Sequence, residues 1–96
     1  MMIWNTKTEE LEEVAVLENV DSGAALVLHN DEVNSFDHVI DCLMKYCKHT
    51  AEQAEQCSLI VHYRGKCNVK NGSTILLKPI CEALCRKGLS ATIEEL

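Results

Sequence analysis

No stretch of this 96-residue chain approaches the roughly 18 consecutive apolar residues that a membrane-spanning helix needs. Its start, Met1-Met2-Ile3-Trp4-Asn5-Thr6-Lys7, lacks the basic segment followed by an apolar stretch that marks a secretory signal, so a cytoplasmic location is expected. Positive charge is also scarce. A net charge of -6 disfavours partners that reward clustered Lys and Arg, namely nucleic acid and anionic membrane surfaces, and suits a cationic ligand better. The length leaves no room for a second self-standing domain. No repeat or low-complexity stretch interrupts the chain, and a C-x-x-C pair is absent among its six cysteines. In a reducing compartment Cys42, Cys47, Cys57, Cys67, Cys81 and Cys85 are expected as free thiols, most of them acting as small core hydrophobes.

Residues 1–22 are rich in glutamate, contain no glycine and show no committed apolar period, so they read as a mobile acidic arm with a short helix around Glu9 to Leu17. The pattern then sharpens into a core domain over residues 23–96. Ala24-Ala25-Leu26-Val27-Leu28-His29 is an apolar run of strand length that stops at the polar Asn30-Asp31-Glu32. Phe36, Val39, Ile40, Leu43, Met44 and Cys47 repeat at helical spacing, with Asn34 as the predicted cap. Thr50-Ala51-Glu52-Gln53 has the form of a capping box for a second helix, which Gly65 ends after a tight turn from the first. Lys66 to Lys70 alternates as a half-buried strand does, and Asn71-Gly72 is a turn signal. Leu76, Leu77, Ile80, Cys81, Leu84 and Cys85 mark a third helix closing at Lys87-Gly88. Pro79 implies that this helix either starts near Lys78 or bends there. Leu89 to Ile93 forms a last strand. The predicted fold is therefore α+β, a small sandwich of a three-stranded antiparallel sheet and three helices in the order β-α-α-β-α-β, with one sheet face covered and the other partly open.

Three polar residues stand out at element ends. Asn30 and Asp31 leave the first strand, and His62, in Val61-His62-Tyr63-Arg64-Gly65-Lys66, ends the second helix. Together they offer an amide oxygen, a carboxylate and an imidazole nitrogen, a set of acceptors suited to a group with several donors, such as a primary ammonium. Each also has a plainer reading. Asn30-Asp31-Glu32 is a common turn spelling, and His62 is a common helix-end histidine.

The run Leu26-Val27-Leu28-His29-Asn30-Asp31-Glu32, then Phe36 to Leu43, then Val61-His62-Tyr63-Arg64-Gly65-Lys66, resembles the ClpS family, adaptors of the bacterial Clp protease that recognise N-degrons. The resemblance extends over residues 24 to 96, including the interval between Asp31 and His62. It implies that Asn30, Asp31 and His62 hold the α-ammonium of a protein whose first residue is Leu, Phe, Tyr or Trp. It further implies a hydrophobic pocket for that first side chain made by Phe36, Val39, Ser58, Val61 and Leu89, with Asn34 at the rim. Phe36, Val39, Ser58 and Val61 also lie on the apolar stripes of their helices, where simple core packing accounts for them equally well. The implied partners are N-degron substrate proteins and the amino-terminal domain of a Clp AAA+ ATPase, engaged by a monomer with no cofactor and no metal. Two departures are visible: Phe36 and Ser58 stand where many relatives have methionine. In the third helix, Ile75-Leu76-Leu77-Lys78-Pro79-Ile80 replaces the acidic and basic residues by which relatives dock on the ATPase.

Three other classes compete. An enzyme would need a cysteine activated by His62 and Asp31, yet none sits in a strand-to-helix elbow. A zinc site would draw on Cys81 and Cys85 with His38 or His49, although structural zinc usually shows two close ligand pairs. A plain interaction domain, built like the carboxy-terminal domain of the ribosomal stalk protein, would leave the Asn30, Asp31 and His62 combination without a purpose.

Overall fold

The computed structural model describes residues 23–96, so the acidic arm predicted for residues 1–22 lies outside the described residues. Within them the chain forms β1 (Ala24–His29), α1 (Phe36–Tyr46), α2 (Ala51–Arg64), β2 (Lys66–Gly72), α3 (Thr74–Arg86) and β3 (Ser90–Glu95), the order read from the sequence. The sheet order is β2-β1-β3, and both pairings are antiparallel.

The central place of β1 explains its unbroken apolar run. Ala24, Leu26 and Leu28 face the helices and pack with Leu43, Val61, Leu77 and Leu84, while Ala25 and Val27 on the opposite face are buried as well. A strand flanked on both sides loses surface on both faces, so it does not need the polar alternation of an edge strand. The partly open face survives on the flank, where Thr92 and Glu94, paired with Val27 and Ala25, are exposed. Leu26, Leu28, Leu43, Leu77 and Leu84 are the largest fully buried side chains, and removing one down to alanine in such a setting costs about 2–5 kcal/mol.

Local chemistry sets the helix ends. The capping box is present as predicted: the Thr50 side chain accepts from the Gln53 N–H, and the Gln53 side chain accepts from the Thr50 N–H. Gly65 ends α2 with φ 95°, the left-handed region where glycine carries no Cβ penalty. Two caps differ from the sequence reading. Ser35, not Asn34, caps α1, accepting from the His38 N–H at 3.1 Å. Helix α3 begins at Thr74 behind a Ser73 cap and continues past Pro79 as one element, which rules out the start near Lys78. The carbonyl that Pro79 cannot serve belongs to Ile75, a residue exposed enough for water to take its place.

Asn71-Gly72 is not a turn. Both residues pair with β1, Asn71 with Ala25 and Gly72 with Ala24, and Ser73 alone makes the change to helix. The pairing register shifts between Leu26 and Val27, which face Lys70 and Asn68, so Val69 is left over as a bulge and is buried. Of the cysteines, Cys42 and Cys47 are buried, Cys57, Cys67 and Cys81 half-buried, and Cys85 exposed; all six are free.

Candidate functional site

One hydrogen bond brings the polar residues together. As the chain leaves β1, the Asn30 N–H donates to the Gly65 carbonyl at 2.8 Å, fastening the strand exit to the end of α2, three residues beyond His62. The glycine conformation that stops α2 turns that carbonyl out of the helix ladder and toward the strand.

Asp31 is held more firmly than any other carboxylate described. Its Oδ1 accepts from the Val33 N–H at 2.9 Å and the Asn34 N–H at 3.0 Å, and the Asn34 side-chain amide donates to both carboxylate oxygens at 3.0 and 2.8 Å. The Asn34 N–H, foremost among these donors, draws the Asp31 carboxyl below its ordinary value, against a smaller opposing effect of burial. The linkage has a definite sign. Because the folded value is depressed, these bonds add stability that is fully present above the ordinary value of 3.8 and lost as pH falls through the lower folded value. At neutral pH Asp31 is a carboxylate.

The Asn34 amide has a third partner, the Gly88 carbonyl at 2.9 Å. It therefore ties the β1–α1 loop to the α3–β3 turn, just ahead of buried Leu89. This is why Asn34 does not cap α1: its side chain is committed to a contact 54 residues away, and the cap falls to Ser35.

The resulting cavity has a volume of about 220 Å³. Asn30, Asp31 and exposed His62, whose ring meets Tyr63 edge-on at 4.8 Å, stand around it with Asn34. Its apolar lining comes from Phe36, Val39, Val61 and Leu89, with Ser58 among them. Phe36 opens α1 and is 39% exposed, as a residue at a mouth must be, whereas Ser58 is 3% exposed and donates its hydroxyl to the Ala54 carbonyl at 2.8 Å. That bond satisfies the hydroxyl inside its own helix.

All nine residues nominated from the sequence thus border one cavity. Leu28 and His29 line it too and were not nominated. His29, whose Nε2 lies 2.8 Å from the Thr92 hydroxyl, immediately precedes Asn30, and its place at the strand exit was the available signal. The cysteines stay apart from this cavity. Burial pushes the Cys47 thiol up to about 11, and burial together with Cys67 pushes Cys57 to about 12, so neither carries a useful thiolate fraction at neutral pH.

The chain as a whole is similar to known proteins in sequence and in fold. The family model described as ATP-dependent Clp protease adaptor protein ClpS matches residues 21–92. The chain is 29% identical over 89 residues to the ATP-dependent Clp protease adapter protein ClpS of Streptomyces coelicolor, covering 93% of each. It is 36% identical over 66 residues to the protein of the same description from Thermosynechococcus vestitus, covering 68% of this chain and 70% of that one. Among solved structures, Agrobacterium tumefaciens ClpS2 bound to L-phenylalaninamide matches with a TM-score of 0.76 over 79% of this chain and 99% of the other. At 15% identity, this last likeness shows a shared fold.

Proposed function

The chain belongs to the ClpS family of Clp protease adaptors, and from that premise we propose that it captures proteins by a free, apolar first residue and delivers them to a Clp AAA+ ATPase. One observation carries this reading: acceptors from two distant elements, Asn30 and Asp31 at a strand exit and His62 at a helix end, converge beside an apolar cavity. A first residue has just these two parts, an ammonium with three donors and a side chain. The ligand of the Agrobacterium relative, a phenylalanine with a free amine and an amide in place of its carboxylate, has the same two parts.

On this reading Asn30, Asp31 and His62 receive the ammonium, and Phe36, Val39, Ser58, Val61 and Leu89 receive Leu, Phe, Tyr or Trp. No bond in the substrate is made or broken. Asn34 serves the site indirectly, by aiming Asp31. Calorimetry against peptides that differ only in their first residue tests the proposal: Leu-, Phe-, Tyr- and Trp-first peptides bind, and Asp- or Lys-first peptides do not. Uniform binding across the series would overturn it.

Two further outcomes are expected. Asn34→Ala removes two bonds to the Asp31 carboxylate and one to Gly88. Bonds to a charged group are worth about 1.5–3 kcal/mol net, and losing the equivalent of one such bond in the aim of Asp31 weakens a Phe-first peptide at least roughly tenfold. Calorimetry on the variant checks this, and unchanged affinity would show that Asp31 does not need its clamp. The second concerns residues 1–22, for which the resemblance to the ClpS family implies a part in delivery and none in capture. Deleting them leaves peptide affinity within about twofold while stopping degradation of a Leu-first reporter in a reconstituted reaction with the ATPase and protease. A truncated protein that lost peptide binding would place those residues in the site.

A further inference from the structure

Cysteine is among the residue types most often buried, yet Cys85 is exposed, and Cys81, one helical turn before it on α3, is half-buried. Residues four apart share one face of a helix, and here that face turns to β3. The Cys81 Sγ lies 3.4 Å from the Ala91 carbonyl oxygen, and the Cys85 Sγ lies 3.5 Å from the same oxygen. Two thiols therefore converge on one point at an edge strand, one of them reachable from solvent. Neither residue borders the cavity at Asn30, Asp31 and His62.

The surroundings limit what such a pair can hold. Among the described residues, no group of three or more His, Cys, Asp or Glu side chains is placed to hold a metal ion. The two histidines weighed as further zinc ligands are engaged elsewhere: the His38 Nε2 meets the Lys87 carbonyl at 2.9 Å and the His49 Nε2 meets the Val69 carbonyl at 2.7 Å. Tetrahedral zinc needs four ligands, and calcium or magnesium needs oxygens. Two thiolates by themselves are a donor set for a soft ion, and among first-row metals such sulfur donors select Cu(I).

We propose that Cys81 and Cys85 form a two-coordinate site for a soft monovalent cation, Cu(I). Binding exchanges the two S–H protons, which go to solvent, for two Cu–S bonds. Copper keeps its oxidation state, and the bis-thiolate complex carries one negative charge. Both Sγ atoms already lie within 3.5 Å of the same Ala91 oxygen, one helical turn apart on α3, so the two donors share one neighbourhood. Because no residue is shared with the peptide cavity, this site stands or falls independently of the proposed function.

The test is an anaerobic competition between the reduced full-length protein and the bicinchoninate complex of Cu(I). The wild type is expected to withdraw one equivalent of copper that C81S/C85S does not, while C57S/C67S, altered at the other neighbouring pair, withdraws as much as the wild type. C85S alone changes an exposed position without disturbing the core, and it is expected to weaken copper binding at least tenfold while retaining peptide affinity. X-ray absorption of the copper-loaded protein should show two sulfur neighbours. Equal copper uptake by the wild type and C85S, loss of uptake in C57S/C67S, or a three-sulfur shell would each overturn the proposal.

Discussion

A Phe-first peptide whose α-amine is acetylated should bind the full-length protein at least roughly a hundredfold more weakly than the same peptide with a free amine, because two charge-assisted bonds at about 1.5–3 kcal/mol each are lost. Acetylation removes the positive charge and two of the three donors, and leaves the apolar side chain intact. The acceptors are then left facing an amide that offers one N–H. Asp31 makes the loss severe. Its carboxyl is held below the usual range by the Asn34 and Val33 N–H groups and the Asn34 side chain, so it stays charged at neutral pH whether or not a ligand is present. A carboxylate fixed in place for an ammonium cannot relax toward a neutral group. Titration calorimetry with the two peptides decides the matter, and equal affinities would remove the capture hypothesis altogether.

How much of this could be read from the sequence follows a physical division between local and non-local causes. The capping box at Thr50 and Gln53 and the stop at Gly65 act within a few residues, and both were legible. So were the element order and the central apolar strand, since burial on both faces leaves a continuous apolar run. Asn34 was misread for the opposite reason. Its helix-capping chemistry is visible locally, but its side chain is claimed by Asp31 and by Gly88, and nothing near Asn34 announces Gly88. Asn71-Gly72 has the local spelling of a turn, and pairing with Ala24 and Ala25 overrides it. Pro79 breaks a helix on propensity alone. The Ser73 cap and the burial of Leu77 and Leu84 hold α3 together across it. The site residues form an intermediate case: each had an ordinary structural reading, and family resemblance was needed to join Asn30 and Asp31 to His62. The bond from the Asn30 N–H to the Gly65 carbonyl is the physical form of that connection.

On the proposed function Phe36 and Ser58, which by resemblance to the ClpS family stand where many relatives have methionine, are expected to set which first residues fit. A side chain entering the cavity passes Phe36, exposed at the start of α1, before reaching Ser58, buried among the apolar lining. Leu and the aromatic residues have an unbranched Cβ and pass a narrow mouth. Val and Ile carry a second heavy atom there, with few permitted rotamers, and are expected to collide with the rim. Burying a Leu or Phe side chain gains about 1.5–3 kcal/mol, so exclusion costs a Val-first peptide most of that, roughly tenfold or more in affinity. Phe36→Ala widens the mouth, and the preference for Leu over Val should fall toward parity even as Phe-first peptides lose the ring contact and bind less tightly. Ser58 acts deeper. Its hydroxyl is already satisfied by Ala54, so the space above it is left to the ligand, and in a cavity of about 220 Å³ that space favours large aromatic residues over Leu. Ser58→Met fills it and should shift preference toward Leu. Titrating Phe-, Trp-, Leu-, Ile- and Val-first peptides against the wild type and both variants separates the two roles. Equal binding of Val and Leu by the wild type, or a Leu-to-Val ratio unchanged in Phe36→Ala, would make Phe36 a packing residue and leave the mouth to be formed by other side chains.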